Sequence, residues 1–292
     1  MTSEPQRMLI VMAHPDDESF GMGGAIVNYA NNGTEVYLIC ATNGDVGTID
    51  DELMEGFASK AERRLHELDC AAATLGLKKV YKLGYRDSGM PGSEDNAHPD
   101  CLVQADPNVV TEQVTGIVRE IRPQVIVTFD PYGGYGHPDH IACHKAALAA
   151  FDAAGDPERF PEHFREGLEP FQPKKLYYNT FGKGALKAAM VVMRLVGRNP
   201  KKFGRNKDID LTAIAQHDYP IHARIRNAHR KQAQDAVECH TSQLGKPPKN
   251  IIDKGIRALR RLLSPGVDTF MRARPEVKPG VRLRETDLFA GL

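Results

Sequence analysis

The sequence lacks any apolar run of the roughly 18 residues that a membrane-spanning helix needs. It has only five cysteines, and no two of them form a CxxC pair. We therefore expect reduced thiols rather than a disulfide framework or a thiolate zinc site. Residues 1–7 are polar and lack the charged and apolar regions of a secretory signal. These absences predict a cytoplasmic protein.

The sequence also has no excess of positive charge. Lys and Arg number 38, Asp and Glu also number 38, and the formal net charge is zero. Nucleic-acid binding depends on neutralising phosphates with cationic side chains, so no nucleic-acid partner is expected. Hydrophobic residues make up 41% of the 292 residues, which is enough to bury a core in one or two domains.

Short apolar segments alternate with segments of helical periodicity through the first 182 residues. The apolar segments are 8–13, 35–42, 80–85, 125–129 and 176–181. The helical segments are 23–32, 52–75, 109–121 and 139–150. This alternation predicts an α/β fold with three αβα layers, in which helices cover both faces of a mostly parallel sheet. Ligands bind such sheets beyond the carboxyl ends of the strands, so the loops beginning at His14, Asn43, Arg86 and Asp130 should converge.

The regular alternation fades after residue 182. We expect residues 1–182 to be the α/β core and residues 183–292 to be an appended, mainly helical portion that packs on the core or caps it. Within that portion, 221–244 should be one long helix, and Ile252, Ile256, Leu259 and Leu263 mark another. The basic stretch 183–206 is expected to form a lid or rim. The alternatives are an amphipathic helix packed on the core, or one that touches a membrane surface.

Two strand-to-helix junctions carry the residues that are typical of metal chemistry. The first reads His14-Pro15-Asp16-Asp17-Glu18. His14 and Asp17 are three residues apart, so on a helical first turn they face the same way and can bind one metal ion. The alternative for this junction is a solvated acidic N-terminus with an incidental histidine.

The second junction follows the fourth strand and reads His137-Pro138-Asp139-His140. Together with His14 and Asp17, either His137 or His140 would complete a three-ligand site with an open position, the arrangement of a catalytic zinc. His144 is a rival ligand, but it lies one helical turn deeper.

At these two junctions the sequence resembles the PIG-L or LmbE-like family of zinc-dependent N-acetylglucosaminyl deacetylases, which includes the mycothiol-pathway deacetylase and the mycothiol conjugate amidase. The resemblance runs from Met8 to Tyr178 and returns near His240. Its motifs are Ala13 to Glu18, Arg64-x-x-Glu67-Leu68, Tyr85 to Gly89, His137 to His140 and His240-x-Ser242-Gln243. The family implies a Rossmann-like sheet, in agreement with the alternation above.

By this resemblance, His14, Asp17 and His140 match the ligands of a Zn²⁺ ion, with another divalent ion such as Fe²⁺ as the alternative. Asp16 matches the carboxylate that serves as general base. His137 matches the histidine that stabilises the oxyanion in its protonated form.

The resemblance also assigns supporting roles. Asp139 matches a residue that tunes the neighbouring histidine. Tyr135 matches a mobile tyrosine at the substrate site, and Arg64 and Asp87 match residues that hold the sugar. The family usually has Glu where this chain has Asp45, so the shorter side chain changes a substrate loop.

The expected function is a metal-dependent amidohydrolase that removes an acetyl group from an N-acetylglucosamine-type conjugate and releases acetate and a free amine. The partner is a small amino-sugar substrate, and a homo-oligomer is left open. Alternatives are a non-catalytic sugar- or nucleotide-binding module, an amidase of a thiol conjugate and a metal-dependent phosphoesterase.

Overall fold

The computed structural model describes residues 4–204, 206–244 and 266–292. Seven strands in these residues form one sheet, and five of them are the strands expected from the apolar segments. The strands are β1 (Arg7–Met12), β2 (Glu35–Thr42), β3 (Lys79–Tyr85), β4 (Val125–Phe129), β5 (Lys175–Thr180), β6 (Ala223–Arg226) and β7 (Val267–Arg274). Their order across the sheet is β3-β2-β1-β4-β5-β7-β6. The first five run parallel, whereas β7 pairs antiparallel with both β5 and β6.

Helices cover both faces of this sheet, which confirms the expected α/β class. They are α1 (Asp17–Asn31), α2 (Lys60–Leu75), α3 (Pro107–Ile121), α4 (Gly133–Gly136), α5 (Pro138–Ala153), α6 (Lys183–Leu195), α7 (Leu211–Ile214), α8 (Arg230–Cys239) and α9 (Thr241–Leu244). One layer contains α1, α2 and α8, and the other contains α3 and α5. No helix in the described ranges is long and apolar enough to cross a membrane.

The order of the strands places the functional loops. Strand β1 lies between β2 and β4, so the chain leaves it towards β2 on one side and returns to β4 on the other. The crevice at such a reversal opens beyond the carboxyl ends of the two strands. Strands β1 and β4 are buried on both faces, as their continuous apolar sequences predict. The loops after them therefore face each other.

The C-terminal portion is not made of helices alone, because its described residues contain strands β6 and β7 as well as helices α6 to α9. The predicted helix 221–244 is in fact strand β6 followed by helices α8 and α9. In β6, Ala223 and Ile225 are buried while Arg224 and Arg226 are exposed, a period of two that only a strand satisfies. Because β7 pairs with β5, residues beyond 182 extend the core sheet itself. The predicted helix through Ile252 and Leu263 lies outside the described residues.

Two further predictions need correction. The predicted helix 52–75 is interrupted, because α2 begins only after Ser59, whose side chain accepts a hydrogen bond from the Glu62 backbone N–H. The prediction of reduced thiols fails for Cys70 and Cys239, which form a disulfide with a Cα–Cα distance of 5.8 Å. The packing of α2 against α8 brings these residues together across 169 positions of sequence, a separation that local spacing patterns do not detect.

Candidate active site

The loop after β1 supplies the first group of functional side chains. It runs from His14 to Asp16, and helix α1 begins at Asp17. The Asp17 carboxylate accepts a hydrogen bond of 2.7 Å from the His14 backbone N–H, so the two side chains are held on one side of the turn. Asp16 has a φ of 139°, which L-residues rarely adopt. With this backbone conformation, the Asp16 carboxylate contacts Arg64, whereas the Asp17 carboxylate contacts His14 and His140.

The loop after β4 supplies the second group. His137 caps α5, because its Nδ1 accepts the backbone N–H of Asp139 at 3.2 Å. Gly133, with a φ of 71°, lies so close to α5 that a Cβ atom there would be 2.9 Å from the Cβ of His140. This close approach brings the Gly133 carbonyl to within 3.2 Å of His140 Nδ1.

The side chains of His14, Asp17 and His140 meet at one point, which we call the centre. His14 Nδ1 lies 3.1 Å from His140 Nε2 and 3.4 Å from Asp17 Oδ2. His140 Nε2 lies 3.3 Å from Asp17 Oδ1. Zinc bonds of about 2.1 Å in a tetrahedral shell separate neighbouring ligand atoms by about 3.4 Å. The spacing of His14, Asp17 and His140 therefore fits a bound divalent ion.

Other combinations of nearby side chains also lie close enough to hold an ion. They are the groups His14, His137, His140 and His14, Asp87, His137, Asp139. The hydrogen bonds of the imidazole rings distinguish among these sets. In a metal site, a ligating histidine usually donates its other ring N–H to an oxygen atom.

His14 and His140 have that arrangement, whereas His137 does not. His14 Nε2 lies 3.2 Å from Asp139 Oδ2, and His140 Nδ1 lies 3.2 Å from the Gly133 carbonyl, so both outer nitrogens donate. Their inner nitrogens then present two lone pairs 3.1 Å apart, an arrangement that a cation would stabilise. His137 Nδ1 accepts the Asp139 amide, so in the neutral ring its Nε2 carries the proton.

Carboxylates surround the centre formed by His14, Asp17 and His140. Burial opposes a charge on His14, but Asp87, Asp139 and Asp17 outweigh it and raise the pKa of that imidazole well above its usual value. Burial likewise opposes ionisation of Asp17, but His140 and His14 hold the pKa of that carboxyl well below its usual range. The pocket thus favours positive charge at its centre.

Asp16 lies beside this centre and has a different environment. Burial raises the pKa of its carboxyl to about 6, although the Arg64 guanidinium, 3.1 Å away, opposes the increase. Arg64 is itself buried and donates to the carbonyls of Pro15 and Gly44. A Cβ at position 44 would lie 2.3 Å from Arg64 Nη1, so a larger residue than Gly44 would displace the guanidinium. Arg64, which the resemblance identified as a sugar contact, is therefore buried against Asp16.

Asp87 and His137 lie on the opposite side of His14. Asp87 Oδ1 is 3.6 Å from His14 Nε2 and 4.0 Å from His137 Nε2. Burial disfavours the ionised Asp87, yet His14 and the Gly89 backbone N–H lower the pKa of its carboxyl. Burial, together with His14 and His140, lowers the pKa of His137. In its neutral form the His137 ring has its proton on Nε2, because Nδ1 accepts the Asp139 backbone N–H.

Of the remaining predicted residues, one contacts the centre and the others have partners elsewhere. Tyr135 has its hydroxyl 3.5 Å from His140 Nε2. Asp45 does not reach the centre, because its carboxylate binds Arg86 at 3.0 Å and the Asp87 backbone N–H at 2.9 Å. His144 Nδ1 lies 2.9 Å from the Phe129 carbonyl, away from the three donor atoms.

Two supporting contacts were not anticipated. Ser88 donates both its backbone N–H and its hydroxyl to Asp139, and so fixes the carboxylate that orients His14. His240, which sequence reasoning treated first as a core residue, pairs with Glu18 at 2.7 Å. Both residues lie within the family-like motifs, yet only the folded chain reveals their partners.

Comparisons with known proteins identify relatives of this chain by sequence and by fold. The chain is 34% identical to the 1D-myo-inositol 2-acetamido-2-deoxy-alpha-D-glucopyranoside deacetylase of Thermobifida fusca, over 98% of this chain and 99% of that protein. The enzyme of the same name from Rhodococcus opacus is 42% identical over 63% of this chain and 65% of its own length. The N,N'-diacetylchitobiose deacetylase of Pyrococcus horikoshii has the same fold, with a TM-score of 0.64 and 22% identity over 95% of this chain and 88% of that one.

Residues 9–151 match the family model described as PIG-L, GlcNAc-PI de-N-acetylase. The matched region contains both junctions and every donor atom of the centre. The resemblance found in the motifs is thereby confirmed, and the chain belongs to the PIG-L family.

Proposed function

We propose that this protein is a metal-dependent N-deacetylase that hydrolyses the acetamide of an N-acetylglucosamine conjugate. The observation that carries the proposal is the convergence of three side chains beside the carboxylate of Asp16. His14 Nδ1 lies 3.1 Å from His140 Nε2, and the two Asp17 oxygens lie 3.4 Å and 3.3 Å from these nitrogens. A divalent ion held there, with zinc as the first choice, would lower the pKa of a bound water and polarise the acetamide carbonyl.

Asp16 and His137 have separate roles in the proposed reaction. Asp16 removes a proton from the water that attacks the acetamide carbon, and its pKa of about 6 suits a base at neutral pH. His137 Nε2–H donates to the oxygen that becomes negative as the carbonyl turns tetrahedral. Asp16 then passes its proton to the leaving nitrogen, so the C–N bond breaks and acetate and a free amine result.

Asp139 and Arg64 are positioning residues in this scheme. Asp139 has no exposed surface, so it acts on the His14 ring and not on the substrate. Arg64 holds the Asp16 carboxylate by its ion pair at 3.1 Å. Tyr135 and Asp87 lie next to the donor atoms and are the proposed contacts for the sugar and the reacting group.

The proposed substrate is an N-acetylglucosamine joined to an inositol, the compound named for the relatives that align over the whole chain. The test incubates the purified protein with that conjugate, with free N-acetylglucosamine and with phosphomonoesters, after chelation and after reloading with Zn²⁺ or Fe²⁺. We expect equal amounts of acetate and free amine from the conjugate, only after reloading. Release of phosphate without acetate would instead identify a phosphoesterase.

A further inference from the structure

Helix α6 has two apolar faces, and the fold covers only one of them. Leu186, Met190 and Met193 pack on a small cluster that includes residues of α7 and the loop after β4. On the opposite side, large apolar side chains are exposed to solvent. They are Val191, Val192, Leu195 and Val196, with exposed fractions of 52%, 56%, 81% and 65%. A helix that is apolar all round is normally covered on every side, so this outer face is a candidate contact surface.

The charges on α6 and on the residues that follow it up to Lys207 all have one sign. The next acidic residues along the chain are Asp208 and Asp210. Residues 183–207 contain eight cationic side chains and no Asp or Glu. The cations are Lys183, Lys187, Arg194, Arg198, Lys201, Lys202, Arg205 and Lys207. Lys187 and Arg194 are exposed on α6, and Arg198, Lys201, Lys202 and Lys207 are exposed in the loop that follows it. The chain as a whole has zero net charge, so this concentration is local to α6 and the loop that follows it.

We propose that α6 docks on an anionic lipid surface, with its outer apolar face in the headgroup region and its lysines and arginines against the lipid phosphates. A short helix with exposed aliphatic side chains and flanking cations is the pattern of an interfacial helix. Long cationic side chains can lay their methylene stems along the apolar layer while the charges reach the headgroups. Each cation near an anionic leaflet adds to the binding.

The charge pattern argues against other occupants. A second copy of the chain would bring two sets of cations together at the interface, where like charges repel. A nucleic acid would match the charge, but binding of single strands relies on aromatic side chains for stacking, and the exposed face carries aliphatic ones. An anionic lipid surface satisfies both the charge and the apolar area.

Docking through α6 would hold the candidate active site close to the lipid. The inner face of the helix packs against Tyr132 and Tyr135, and Tyr135 is next to His140. Phe181, which follows β5 directly and lies two residues before α6, is a further exposed apolar side chain, at 49%. The rim of the crevice would therefore face the headgroup layer.

The experiment is vesicle flotation of the full-length protein. One set of vesicles is phosphatidylcholine alone, and the other contains phosphatidylglycerol at about one third of the lipid. We expect flotation with the anionic vesicles only, and a loss of binding at high salt. The variant Val192→Glu with Leu195→Glu should lower partitioning by at least about tenfold. The variant Lys201→Gln with Lys202→Gln should lower it about fivefold for each lysine.

A matched control distinguishes docking through α6 from nonspecific hydrophobic binding. Val109→Glu with Val281→Glu alters two side chains that are also exposed, at 45% and 55%, on other parts of the surface, and should float like the unaltered protein. Equal flotation of the α6 variant and this control would overturn the proposal. Failure of the unaltered protein to float with anionic vesicles would also overturn it. Sedimentation that showed a dimer for the unaltered protein and a monomer for the Leu195 variant would instead assign this face to a second copy of the chain.

Discussion

His240 and Glu18 form a buried pair that connects the C-terminal portion to the candidate base. His240 Nε2 lies 2.7 Å from Glu18 Oε1, and neither residue has any exposed surface. The other Glu18 oxygen accepts the backbone N–H of Asp16 at 3.0 Å. Burial opposes a charge on His240, but Glu18 and Asp16 raise the pKa of that imidazole above its usual value. The pair therefore fixes the loop in which Asp16 has its unusual φ.

The first prediction concerns this pair. His240→Leu removes the donor to Glu18 and should lower kcat by roughly 10²-fold, because a small displacement of a catalytic group has effects of that size. Metal content and KM should change little. His240→Gln keeps a donor and should recover much of the activity. If both variants lose activity equally with normal metal content, His240 does not position Asp16 through this hydrogen bond.

The parts of the site that could be predicted from the sequence are those encoded locally. Each His-Pro-Asp junction follows a buried strand and places a proline and ligand-type side chains within five residues of one another near a helix start. Pro138 is the first residue of α5, whereas Pro15 lies two residues before α1. The alternation of strands and helices then implies that the loops meet at one edge of the sheet. The structure confirms this convergence for the loops at His14, Arg86 and Asp130. The loop at Asn43 joins them, because Asp45 accepts the Asp87 backbone N–H and the Gly44 carbonyl accepts from Arg64.

The parts that could not be predicted depend on contacts between distant segments. Strand β6 has only four residues, too few for its period of two to compete with the helical pattern around it. The Cys70–Cys239 disulfide and the pair His240–Glu18 join residues that are more than 160 positions apart. The protonation of His137 depends on a backbone amide that only the folded loop brings to its Nδ1.

The second prediction tests the metal ligands. His14→Ala and His140→Ala should each remove most of the bound metal, because a three-ligand site loses its geometry with any one of them. His144→Ala is the matched control, since its ring belongs to the same helix as His140 but lies against the Phe129 carbonyl. Metal content is measured by elemental analysis after dialysis. Full occupancy in the His14 variant would refute the ligand set.

The third prediction separates the base from the ligands. Asp16→Asn keeps the shape of the side chain but cannot take a proton, so it should retain metal and lose about 10²–10⁴-fold in turnover. Asp139→Asn should instead lower metal affinity, because it weakens the hydrogen bond that orients His14. Near-normal turnover of the Asp16 variant at full metal content would place the base elsewhere.

The fourth prediction concerns the disulfide, which joins α2 to α8. Cys70→Ser with Cys239→Ser should lower the free energy of unfolding by about 2–4 kcal/mol, since the crosslink restricts the unfolded chain. Denaturation in urea with and without a thiol reductant measures the change. The reductant should destabilise the unaltered protein by a similar amount and leave the double variant unaffected. An unchanged midpoint in the unaltered protein would show that the bridge adds no stability.

Asp268 is the basis of the fifth prediction, which concerns pH. Helix α1 departs from helical geometry at Met22, and three residues later the backbone N–H of Ala25 donates to Asp268 at 2.6 Å. The carboxylate thus caps the second half of α1 from β7. Burial raises the pKa of Asp268 to about 6, although this hydrogen bond opposes the increase.

The sign of the resulting pH dependence follows from proton binding. An aspartate in the unfolded chain has a pKa of about 4, so between about pH 4 and 6 the folded state holds a proton that the unfolded state has lost. The free energy of unfolding must therefore fall as pH rises through this window. Asp268→Asn keeps the acceptor for Ala25 but cannot ionise, so it should be more stable than the unaltered protein by about 1–3 kcal/mol at pH 7. Urea denaturation of both proteins from pH 4 to 7.5 measures this difference, which should disappear at the acid end. A constant difference across the range would show that the ionisation of Asp268 does not affect folding.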